Sequence, residues 1–258
     1  MNQITLDKTL VHIVPGLRPR MDGAGEYALN LALELRQAHG INSQFIVCDP
    51  ERDDSGWVEG FAVQRLRVKN EACIWSMLPL AKNQFPAVLL HYCAYGYNRQ
   101  GFPLWLHQGI QSWLDEGGGA ASGSKRQFST IFYETLGTSV KPWQKEFCLR
   151  IPQKWLIQEI HRRSQLSVTG CPLMQAFLNG VAPGKTLRLP VRNQPTNELE
   201  QALDWKNLAA QYHERLFQAP TASNTGLRLR GELQGALPAF VPAQQAVRSS
   251  VSIRPRPA

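Results

Sequence analysis

Little in this chain of 258 residues marks a chemistry at first sight. There is no C-x-x-C pair. The five cysteines, Cys48, Cys73, Cys93, Cys148 and Cys171, lie far apart. An odd, scattered set reads as reduced thiols in the cytosol, and no zinc site is expected. There is no G-x-G-x-x-G and no P-loop Gly-Lys-Ser/Thr. The N-terminal run MNQITLDKTL lacks an apolar h-region, so no secretory signal is expected. No stretch reaches the roughly 18 apolar residues of a membrane span. An excess of charge of one sign is also small over most of the chain. The formal net charge is +8, yet five Arg and one Glu from Ala219 onward supply +4 of it. The other +4, spread over the first 218 residues, does not argue for a nucleic-acid partner.

What is present is a fold. With 43% hydrophobic residues the chain has material for one large domain or two small ones. The organising stretch is Thr9 to Leu35. Leu10, Val11, Ile13 and Val14 form a short apolar run ending at Pro15-Gly16, which suits a buried parallel strand. A loop with Arg18, Arg20 and Asp22 leads to Gly23-Ala24-Gly25-Glu26. Asp22 is a good N-cap type and Glu26 favours a helix start. An Ala/Leu-rich helix follows, and His39-Gly40 is a plausible stop. A glycine loop at a helix N-terminus gathers backbone N–H groups and the positive end of the helix dipole, as in phosphate sites. A tight strand-to-helix turn with no ligand is the alternative.

Further strands are expected at Gln44–Cys48, Phe61–Leu66, Ala87–His91, Phe128–Tyr133, Leu166–Thr169 and Thr186–Leu189. Glu51 to Gly60 reads as a polar loop. Helices are expected over Glu71–Lys82, with Pro79 able to kink it, and over Pro103–Leu114, Pro142–Cys148, Pro152–Arg163 and Pro172–Leu178. Alternation at these spacings points to a doubly wound parallel sheet. The aromatic, Gly-containing run His91 to Gly101 then leaves the carboxyl end of a strand, where ligands of such sheets sit. After Pro195 the character changes. Glu198 to Gln218 reads as one helix with Trp205, Leu208, Tyr212 and Leu216 on one face. Ala219 to Ala258 has no sustained period and reads as a disordered basic tail. The expected organisation is therefore an α/β domain with a single Rossmann-like parallel sheet over 1–195, an appended helix over 196–218 and a tail over 219–258.

Several segments together resemble the N-terminal domain of retaining GT-B glycosyltransferases of the family 4 type. They are Val14-Pro15 with Asp22 to Tyr27 and the Leu/Ala helix; Leu90-His91-Tyr92 with Tyr95-Gly96-Tyr97; Ile131 to Glu134 with Pro142-Trp143; and Arg162-Arg163-Ser164 leading to Val168-Thr169. The match covers about residues 8 to 192. The run Trp205, Leu208, Ala209 and Tyr212 also resembles that family's closing helix. The resemblance implies transfer of a sugar from a nucleotide-sugar to an acceptor hydroxyl with retention, and no cofactor, since the nucleotide-sugar is a substrate. It implies donor-phosphate contacts from Gly23, Ala24, Gly25 and Glu26. It implies His91 and Glu134 at strand ends facing the cleft as catalytic candidates, and Arg18, Tyr92, Tyr95 and Tyr133 near the substrate. The implied partners are a nucleotide-sugar and a carbohydrate or glycolipid acceptor, with a second protein domain as a further candidate.

The chain departs from that pattern in two places. Tyr133-Glu134 stands where the family often has a His-Glu or His-Asp pair. The second Rossmann-like domain, which holds most of the donor in that family, has no counterpart between the matched part and the closing helix. A non-catalytic, acceptor-binding or vestigial interaction protein is the alternative. For single residues the plainer readings are a satisfied structural histidine for His91, a surface carboxylate for Glu134, exposed arginines for Arg18 and Arg20, a buried residue for His12, and core or helix-packing residues for Trp143 and Trp155.

Overall fold

The computed structural model describes residues 9–17, 23–49, 56–79, 87–116, 126–133, 145–191 and 204–217. All lie within one compact unit. Among them eight strands form one sheet in the order β3-β4-β2-β1-β5-β6-β7-β8. β1 (Thr9–Val14) pairs in parallel with β2 (Asn42–Val47) and with β5 (Ala87–Tyr92). β4 (Phe61–Arg65) extends the β2 side. β6 (Phe128–Phe132), β7 (Leu166–Thr169) and β8 (Thr186–Arg188) extend the β5 side, all parallel. The chain thus builds outward from β1 in one direction and returns to build in the other. The boundary between β1 and β5 is the topological switch point, where a crevice opens beyond the carboxyl ends of the strands.

The central strands are apolar because helices cover both sides. One side carries α1 (Gly23–His39) and α7 (Trp205–Phe217) over Leu10, Leu89, Ile131 and Val168. The other buries Val11, Ile13, Leu90 and Phe132 under α2 (Glu71–Met77), α4 (Leu104–Glu116), α5 (Lys145–Arg163) and α6 (Pro172–Val181). A single turn, α3 (Ala94–Tyr97), follows β5. Leu208, Ala209, Tyr212 and Leu216 are the buried stripe of α7 and pack in the same cluster as Tyr27, Leu31 and Leu35 of α1.

The parallel α/β architecture matches the expectation, with three local differences. The polar loop expected before Gly60 contains an antiparallel edge strand, β3 (Gly56–Val58), turned back on β4 through Glu59 and Gly60. Both turn residues have positive φ, 51° and 77°, the geometry of a tight hairpin turn. Glu is a poor advertisement for that backbone, so the hairpin was hidden. The helix expected to reach Lys82 stops at Met77, and its cap Leu78 is extended. Leu78 precedes Pro79, whose ring pushes the preceding residue out of the helical region; residues 80–82 lie outside the described ones. The two helices expected around Pro152 are one, α5, with the proline inside. The tail from Ala219 lies outside the described residues.

Candidate functional site

The site runs obliquely across the sheet beneath α1, from the start of β2 through the middle of β1 to the carboxyl ends of β5 and β6. Alternation along β1 sends Leu10, His12 and Val14 to the α1 side, and along β5 it sends Leu89 and His91 there. His12 Nδ1 lies 3.0 Å from His91 Nε2. His12 Nε2 is 3.3 Å from Ser43 Oγ on β2, and His91 Nδ1 is 2.8 Å from the Tyr133 hydroxyl just past β6. The result is a polar row, Ser43–His12–His91–Tyr133, running across four strands inside an apolar layer. Both histidines and Ser43 are buried, and Tyr133 is 6% exposed.

Burial governs the charge of this row. It lowers the His12 pKa to about 3 and pulls His91 well below the ordinary imidazole value, with His12 adding a smaller push in the same direction. Both rings are therefore neutral at physiological pH, each with one N–H and one lone pair. The row then has one consistent sense. Tyr133 O–H donates to His91 Nδ1, His91 Nε2–H donates to His12 Nδ1, and His12 Nε2–H donates to Ser43, or all three reverse. A phenol is the stronger donor, which favours the first sense. Both ring nitrogens of His91 are engaged within the protein in either case, so contact between this row and a ligand runs through Tyr133.

Tyr27 of α1 roofs the row. Its ring meets Tyr133 edge-on at 5.8 Å and His91 at 6.4 Å. Its hydroxyl is 3.3 Å from that of Tyr212 on α7 and donates to the Pro190 carbonyl at 3.4 Å. Trp205, at the start of α7, lies 5.3 Å from the Tyr27 ring. On the far side of the sheet the Tyr97 hydroxyl meets the carbonyls of both Ile13 and His91, at 3.0 and 2.8 Å, tying β1 to β5 at the switch point. Gly96 lets α3 come this close: a Cβ there would stand 2.7 Å from Pro15 Cβ.

Of the residues singled out in the sequence, the fold brings His91 and Tyr133 together. Gly23, Ala24, Gly25 and Glu26 form the first turn of α1 rather than the loop before it, with Ala24 and Gly25 buried and Gly23 and Glu26 exposed. A helix carries the positive end of its dipole at its first turn, which favours an anion there. Tyr92 is buried on the opposite side of the sheet from His91, with its ring 5.6 Å from Phe132. Tyr95 is 55% exposed, and its hydroxyl accepts from Gln153. Arg18 and Glu134 lie outside the described residues, as do Arg20, Asp22 and Trp143. Trp155 is 44% exposed, with one ring edge on His107, so it is a surface packing residue rather than core. His12 is buried as expected, but its pairing with His91 was missed. Strand parity could have revealed it, since both histidines sit on the same side of adjacent parallel strands. Among the described residues no group of three or more His, Cys, Asp or Glu is placed to hold a metal ion. No helix among them is long and apolar enough to cross a membrane.

Fold and site define a Rossmann-like α/β protein with a buried imidazole row at its switch point. Compared with models of known protein families, the chain matches none. No curated protein matches it either.

Proposed function

We propose that this chain is the acceptor-side half of a GT-B-type, retaining sugar transferase. It would be weak or inactive alone, working on a nucleotide-sugar and a carbohydrate or glycolipid acceptor in the cytoplasm. The observation that carries the reading is the seat of α7. Its run Trp205, Leu208, Ala209 and Tyr212 resembles the closing helix of such enzymes, which crosses back onto the first domain. Here it packs on α1, beside the carboxyl edge of the sheet. The open-sheet rule places a ligand at the same edge, above Tyr133 and the first turn of α1. In this reading Gly23 to Glu26 touch donor phosphate, His91 orients Tyr133, and Tyr133 meets an acceptor hydroxyl. Glu134 and Arg18 remain candidates on sequence grounds, and most donor contacts come from a second domain supplied elsewhere.

One observation favours a non-catalytic acceptor-binding protein instead: His91, the histidine proposed for chemistry, has both ring nitrogens occupied inside the fold. The test is a screen of UDP- and GDP-sugars for donor hydrolysis, run beside saturation-transfer NMR with candidate oligosaccharides. The proposal expects saccharide binding weakened by Tyr133→Phe, with negligible donor turnover. Saccharide binding that Tyr133→Phe leaves unchanged, or no binding at all, would sink it.

A further inference from the structure

The helical layer on the other side of the sheet from α1 carries an exposed apolar surface. Ile151 and Trp155 of α5 are 78% and 44% exposed, and Leu173 at the start of α6 is 66% exposed. Ile151 and Trp155 are four residues apart, so they stand on one face of the helix. Leu156, Ile157 and Ile160 fill the opposite face and bind α5 to the core. α5 runs from the end of β6 to the start of β7, so its early turns lie at the carboxyl edge of the sheet. Gln153 fixes them there, its amide donating to the Gln100 carbonyl beyond β5 at 3.3 Å. α6 opens at the same edge, directly after β7. The Trp155 ring stands edge-on to His107 of α4 at 5.7 Å, which braces it on one side and leaves the other to solvent.

Charge accompanies this face. From Leu149 to Gln158 the chain carries two cations, Arg150 and Lys154, and no acid. Neither has an ion-pair partner among the described residues, whereas further along α5 Arg162 pairs with Glu159 and Arg163 with Asp115. The cations are thus left unneutralised where the apolar side chains are exposed.

We propose that this face docks on an anionic lipid surface, with Ile151, Trp155 and Leu173 entering the headgroup boundary and Arg150 and Lys154 meeting lipid phosphates. Indole suits that boundary, being apolar over its ring and a donor at Nε1. Cations close to such a surface add an attraction that salt weakens. A second copy of the chain fits the face less well. A two-fold contact through α5 sets Arg150 and Lys154 against the same cations of the copy. Docking sets the carboxyl edge of the sheet close to the bilayer. It needs neither donor nor acceptor, so it stands apart from the sugar reading of the site.

Co-sedimentation of the full chain with vesicles tests this. The probes are phosphatidylcholine alone and phosphatidylcholine with about one-third phosphatidylglycerol. The chain should pellet with the anionic vesicles and stay in solution with the neutral ones, and high salt should weaken the binding. Ile151→Ser with Trp155→Ser should lower partitioning about tenfold or more. Arg150→Glu with Lys154→Glu should also lower it, and this variant decides if the first does not fold. Absence of binding to either vesicle, or binding that does not distinguish them, would overturn the proposal. Binding that either folded variant leaves unchanged would place the contact elsewhere, for example at the arginines after Ala219, and overturn it too. So would a dimer in solution that the same variants dissolve, which would assign the face to a second copy.

Discussion

Tyr27 and Tyr212 meet hydroxyl to hydroxyl at 3.3 Å, 185 residues apart in sequence. Burial holds both phenols protonated, raising each above the ordinary tyrosine value. This contact joins the helix after the first strand to the last described helix. Tyr212→Phe removes one hydroxyl and leaves Tyr27 its Pro190 carbonyl. The cost should be about 1 kcal/mol, or roughly 2–4 °C in melting temperature for a domain of this size. Truncation at Pro195 should cost far more. Trp205, Leu208, Tyr212 and Leu216 would each forfeit roughly 1.5–3 kcal/mol of burial. Thermal denaturation checks both, and an unchanged melting temperature after truncation would mean that α7 does not dock.

The imidazole row makes stability depend on pH. His12 and His91 have folded pKa values below the ordinary one. The unfolded chain therefore binds more protons as pH falls below about 6.5, and stability drops with it. Each histidine contributes up to about 1.4 kcal/mol per pH unit. That loss begins below the ordinary imidazole value and runs for His12 to about pH 3. Urea unfolding at pH 7.5 and 5.5 should show the loss, and His12→Phe with His91→Phe should flatten it. An equally steep loss in the double variant would place the titrating groups elsewhere.

Gly96 tests how tightly the switch point is closed. Gly96→Ala drives a Cβ to 2.7 Å from Pro15 Cβ. Overpacking of this kind costs roughly 1–3 kcal/mol, and here it also disturbs Tyr97, which ties β1 to β5. A variant as stable as the parent would show that Pro15 has room to move.

The layers of this fold were legible because apolar runs such as Leu10–Val14 and Ala87–His91 have the length and flanking breakers of buried strands. Gly40 was legible as a helix stop for a local reason, and it has φ of 64°. Glu59 was not, because its positive φ is imposed by the hairpin rather than by its own preference. Pro152 misled in the other direction, since a proline interior to α5 still admits a continuous helix. At the site, His91 was named from its strand end and from the family resemblance, and Tyr133 from the resemblance. Their partners Ser43, His12, Tyr27 and Tyr212 come from two other strands and two helices and meet only through register and packing. Long-range pairing of this kind leaves no mark in a local window.

The central claim is that the donor-holding machinery lies outside this chain. First-turn N–H groups of α1 can supply only a few bonds to a phosphate, each worth roughly 1.5–3 kcal/mol to a charged partner. Two such bonds, less the cost of association, leave millimolar affinity at best. Isothermal titration of the chain with UDP-glucose and GDP-mannose is the most direct measurement. The account expects no detectable heat of binding, or a dissociation constant no tighter than millimolar. A micromolar constant that is lost in Gly25→Trp would show that this single domain holds a donor by itself, and would contradict its reading as half of an enzyme.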